Sequence, residues 1–150
     1  MSALHVVLGV AMTVLFLAAG VLGGWRWYRV SSSEWFWRLL RAAQAAMVAE
    51  TAIGGLLLAF GRHPGSDLHY VYGLLPIAIS FAAEQLRISA AETVLESRGL
   101  ESARAVGELP DADQRSVVLA IVRREIGVMA LAALVIVGLA LRAEFGMGGL

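Results

Sequence analysis

Four long apolar runs dominate the chain, and polar residues gather in quantity only between the third and the fourth. The runs cover residues 3–27, 35–60, 68–87 and 126–141. At about 1.5 Å per residue each can match a hydrocarbon core about 30 Å thick, with tilt and snorkelling arginines absorbing the differences. They predict four transmembrane helices. The first run, reaching Trp25 without a basic start, is longer than the apolar core of a secretory signal, so it reads as a span of the mature protein.

At about 100° per residue each span separates into two faces. On the first, His5, Gly9, Met12, Phe16, Gly20 and Gly23 share a stripe opposite Val7, Val14, Ala18, Val21 and Trp25. On the second, Gln44, Met47, Glu50, Thr51, Gly54 and Gly55 gather on one side. On the third, His69, Gly73, Pro76, Ser80, Ala83, Glu84 and Arg87 do the same. The fourth offers only Gly127, Ala130, Leu134 and Gly138. Lipid cannot satisfy polar groups, and small residues let backbones approach, so these stripes mark the interior. The fold class expected is all-α, one transmembrane antiparallel four-helix bundle spanning the single domain 1–150.

The polar stretch 88–124 predicts a short helical hairpin. The third helix should run on to about Arg98 with Gly99 as its C-terminal cap, and a new helix should open at Leu109-Pro110-Asp111. Arginines set the orientation. Arg26, Arg29, Arg38 and Arg41 flank the first connection, and Arg87, Arg98, Arg104, Arg115, Arg123 and Arg124 lie along the third, against only Arg62 and Arg142 on the other side. By the positive-inside rule the hairpin is cytoplasmic and both termini face outward, a multi-pass protein of the cell membrane. Trp25, Trp27, Tyr28, Trp35 and Trp37 would then form a belt at the cytoplasmic interface.

Composition narrows the function classes. Hydrophobic residues make up 59% and charged residues 16% of 150, against about 25% charged in a soluble domain. Net charge is zero, which gives nucleic acid no electrostatic footprint. With no cysteine there is no disulfide, thiolate metal site or iron–sulfur cluster. No P-loop, Gly-x-Ser-x-Gly or His-Glu-x-x-His motif is present, so an enzyme with its own catalytic residues is the least supported class. The bilayer is the expected partner, with other membrane proteins as further candidates.

Chemistry concentrates in two matching segments, His5-Val-Val-Leu-Gly9 and His69-Tyr-Val-Tyr-Gly73. Each opens an odd-numbered span, and odd spans run parallel, so the histidines should lie at similar depth. Two imidazoles on facing helices can hold one six-coordinate b-type haem. Gly9 and Gly73, one turn on, would leave room for the macrocycle, and Arg62 could pair with a propionate. Two alternatives stay open: interfacial histidines with no cofactor, and a zinc or copper site drawing on His63, His69, Asp67 and His5. Glu50, near the midplane, is costly there by about 2.5–3.5 kcal/mol. It reads either as a proton or ion relay or as a neutral hydrogen-bonder with Gln44, Thr51 or Ser80 as partner. Glu84 and Arg87, one turn apart, read as a structural ion pair.

The segment from Gln44 to Gly73, QAAMVAETAIGGLLLAFGRHPGSDLHYVYG, resembles a helix–loop–helix of the haem A synthase family, and the resemblance extends loosely over residues 4–87. In that family's four-helix halves the paired haem ligands sit on alternating helices, as His5 and His69 do. The resemblance implies one b-type haem and a role in electron transfer or in cytochrome oxidase and haem assembly. The reading that competes with it is a non-catalytic membrane subunit or assembly partner without a cofactor.

Overall fold

The structure is a computed structural model that describes residues 3–145, with side chains to residue 143. It comprises α1 (Ala3–Arg29), α2 (Glu34–Ala59), α3 (Leu68–Ser97), α4 (Ala103–Gly107) and α5 (Asp111–Phe145), with no strand among the described residues. Four of the helices, all but α4, are long and apolar enough to cross a membrane. They form an antiparallel bundle in which α1 packs on α2 and α5, and α5 packs on α3. The last seam of the circuit, between α2 and α3, barely closes. The starts of α1 and α3 and the ends of α2 and α5 lie at one end, the termini end. The α1–α2 turn lies at the opposite, arginine-rich end.

All six residues of the α1 stripe are buried, and the five opposite are exposed. Glycines set the helix separation. A Cβ on Gly23 would stand 2.5 Å from Phe36 Cε2 and 2.8 Å from Ala130 Cβ, and one on Gly20 would stand 2.6 Å from Leu134 Cδ2. Close backbone approach through small residues is how apolar helices gain contact where lipid gives no hydrophobic drive. The core fills the middle and the arginine-rich half with Phe16, Phe36, Leu40, Ile126, Met129 and Ile136, all essentially fully buried.

Two expectations are corrected here. On α5 the predicted stripe is only part of the inward surface: Ala130 is buried and Gly127 receives the edge of Trp27, but Leu134 is 41% exposed and Gly138 faces open space. The deeper face is Ile126, Met129, Ala133, Ile136 and Ala140, because α5 is wedged between α1 and α3 and buries a broader arc. Trp37 also leaves the expected belt. Its ring turns inward against Phe36, with centroids 4.9 Å apart, and Arg41 and Arg87 cover it at 5.9 and 5.6 Å.

Beyond Arg87, α3 continues beside the first turns of α5 as the expected hairpin, burying Ala90, Val94 and Val117. Gly99, at φ +67°, ends α3 in a Schellman turn: Leu100 N donates to Leu95 O at 2.9 Å and Gly99 N to Glu96 O at 3.0 Å. The short α4, capped by Ser102, was not expected; five residues are too few for a periodic signal. The end of α1 makes the same turn with a different residue. Ser31 N donates to Arg26 O at 3.1 Å and Val30 N to Trp27 O at 3.2 Å, and Val30 takes φ +49°. A β-branched side chain in that left-handed region is strained.

Candidate functional site

At the termini end, where the sparse α2–α3 seam meets the start of α1, lies a cavity of about 540 Å³. That lies within the range of about 300–1,000 Å³ typical of cofactor and small-molecule sites. All four long helices and the α2–α3 loop contribute to its wall. His5 and Gly9 come from α1, Glu50, Thr51 and Gly54 from α2, Arg62 and His63 from the loop, His69 and Gly73 from α3, and Ala140 from α5. Met12 and Met47 close its floor.

The two predicted histidines meet inside it. Their ring centroids are 6.1 Å apart with planes at 66°. His5 is buried, and its Cε1 lies 3.6 Å from where a Cβ on Gly54 would stand, so the second span's glycine makes room for the ring. His69 is half-buried, and its Nδ1 is shielded from solvent without a hydrogen-bond partner. Added Cβ atoms at Gly55 and Gly73 would meet nothing within 4 Å, so both glycines border open volume.

Of the residues singled out in the sequence, His5, Gly9, Glu50, Arg62, His69 and Gly73 share this one cavity. Gln44 does not. It lies two turns toward the arginine-rich end, where its amide donates to Ser80 Oγ at 3.0 Å and Glu84 Oε1 at 3.1 Å. Thr51 donates back to Met47 O at 2.9 Å. Tyr70, Tyr72 and Pro76 also line the cavity and were not expected to act together. The tyrosines' places at the second and fourth positions of the His69-Tyr-Val-Tyr-Gly73 segment were the available signal. The alternative zinc or copper site is not assembled: among the described residues no group of three or more His, Asp or Glu could hold a metal ion. The ring of His63 instead meets the Tyr70 hydroxyl at 3.3 Å.

Glu84 is the hub of a larger network than the pair expected. It accepts from Arg41, from Gln44 and from Arg87 Nε at 2.8 Å, and Arg87 reaches on to Glu125 of α5 at 4.0 Å. This cluster clamps α2, α3 and α5 together on the side of the cavity away from the termini. Removing one member of a partly buried charge network leaves the others underpaired. Glu84→Gln should therefore lower stability by about 1–3 kcal/mol. Thermal unfolding in detergent micelles measures this, and an unchanged melting temperature would show the clamp to be idle.

No protein-family model, curated protein or solved structure matches this chain.

Proposed function

We propose that this is an integral membrane protein that holds one b-type haem between His5 and His69, for electron transfer or for haem handling during oxidase assembly. The separation of the two rings carries the reading. Two iron–nitrogen bonds of about 2.0 Å, extended by the short distance from each nitrogen to its ring centre, would set the centroids about 6.3 Å apart with a nitrogen of each ring facing the other. The rings stand at 6.1 Å. Gly73 and Gly55 border the space that a flat macrocycle needs, and Arg62 at the rim has the charge and reach for a propionate. The likeness of the Gln44–Gly73 segment to the haem A synthase family points the same way. A bis-histidine haem supplies reversible one-electron transfer. The chain's own part is to hold both imidazoles within one cavity, with His5 buried and His69 half-buried, and to keep Glu50 in its wall.

Protein purified from haem-replete cells should show the Soret and split visible bands of a low-spin haem. A colourless preparation would instead favour a membrane subunit or assembly partner without a cofactor.

The orientation belongs to the same proposal: multi-pass in the cell membrane, termini and cavity at the outer face, hairpin in the cytoplasm. The arginine distribution supports it. Topology reporters after Leu150 or within loop 61–67 should signal the outer side, and one at Ala105 the cytoplasm. Reversed signals would overturn the orientation.

A further inference from the structure

At the arginine-rich end a second pocket, of about 340 Å³, is lined by Trp25, Arg26, Arg29 and Ser31. We propose that it binds a phosphate group, with the headgroup of an anionic phospholipid as the source its surroundings favour. The inference needs the membrane reading above but not the haem.

Three observations converge on it. The first is charge: two guanidinium groups line the pocket, no carboxylate does, and the nearest acid in sequence, Glu34, is already bonded to Arg38. The second is unmet hydrogen bonding. Arg26 Nε and Ser31 Oγ are both shielded from solvent, and neither has a hydrogen-bond partner. A buried donor left unpaired costs about 1–3 kcal/mol, so two of them on one pocket wall describe a place where an acceptor belongs. A phosphate oxygen accepts from both a guanidinium N–H and a hydroxyl. The third is the backbone. The Schellman turn that joins Ser31 N to Arg26 O brings these two residues together, and it does so through Val30 in a conformation that favours glycine. Strain of this kind persists where the surroundings over-determine it, often at a ligand clamp.

The surroundings favour a lipid over a free anion. The pocket lies at the end of a membrane-length helix, beside exposed Trp25 and Tyr28, and the Arg29 guanidinium lies 5.7 Å from the centroid of the Trp25 ring. Basic pockets at the cytoplasmic ends of spans are recognised sites for anionic headgroups.

The test uses the full chain in nanodiscs of phosphatidylcholine alone, or with phosphatidylglycerol added, and in detergent with inorganic phosphate. Phosphatidylglycerol should raise the melting temperature and remain bound through native mass spectrometry. R26Q/R29Q should weaken that retention about tenfold or more, since two charge-assisted contacts are lost, and S31A by less. R115Q/R124Q, which removes equal charge elsewhere, should leave it unchanged. Protection by inorganic phosphate equal to that by the lipid would assign the same site to a free anion. Equal retention by R26Q/R29Q and wild type, or equal loss in R115Q/R124Q, would overturn the site. Should R26Q/R29Q fail to fold, S31A and R29Q alone against wild type decide the same question.

Discussion

His5→Ala and His69→Ala should each take haem retention from stoichiometric to negligible and abolish the low-spin spectrum, while His63→Ala leaves both intact. In the proposed site each imidazole would supply one of only two protein bonds to the iron, so losing either would leave the group held from one side. His63 also borders the cavity, but its ring is turned to the Tyr70 hydroxyl and it has no counterpart across the gap. Gly73→Leu gives an independent check. It would place a side chain in volume that is empty within 4 Å, so it should block the macrocycle while leaving the bundle folded. The readouts are the Soret band, the reduced-minus-oxidised difference spectrum and the melting temperature of the colourless variants. A His5→Ala protein that keeps a low-spin spectrum would end the bis-histidine proposal, whatever its stability.

Adjacent glycines on α1 should respond in opposite directions. Gly23→Ala drives a methyl group to 2.5 Å from Phe36 Cε2 and 2.8 Å from Ala130 Cβ. Phe36 has no exposed surface and sits in the core, so it cannot swing aside, and the three helices must separate. Overpacking of this kind costs about 1–3 kcal/mol, and the rigidity of both neighbours places Gly23→Ala near the upper figure. Gly24→Ala adds a methyl group that meets nothing within 4 Å and should stabilise the helix by up to about 1 kcal/mol. Melting temperatures of the two variants in the same micelles should fall on either side of wild type. Similar values would mean that α1 does not approach α2 and α5 this closely.

Where polar and small residues alternate with large apolar ones, the sequence revealed the bundle well. The α1 stripe could be read because His5, Gly9, Gly20 and Gly23 stand out from the valines and leucines on the outward face. The same contrast placed His5, Gly9, His69 and Gly73 on interior stripes, and in the structure they line one cavity. From Ile126 to Leu141 no polar side chain occurs, and hydrocarbon outside is as apolar as leucine inside. Nothing there told the core face of α5 from its flank, and the inward role of Met129, Ile136 and Ala140 emerged only from packing. Trp37 was illegible for a related reason. An indole near a span end serves a belt or a cation-lined wall equally well, and the choice depends on Arg41 and Arg87 from two different helices. The sparse contact between α2 and α3 is likewise a property of the assembled bundle, since each helix alone carries an ordinary interior stripe.

The unbroken course of α5 ties distant parts of the molecule into one rigid body. Its 35 residues run from Asp111, through Ser116, which accepts from Arg98, and the buried Val117 in the hairpin, past Ala140 in the cavity wall, a rod about 52 Å long. Neither proline nor a bend interrupts it after Asp111. A tilt of the hairpin carried along this rod about the buried Ile126–Met129 contacts would move the cavity wall at its other end. A rotation of about 5° there would shift Ala140, about 19 Å away, by roughly 1.6 Å, enough to alter the clearance opposite His5 and His69.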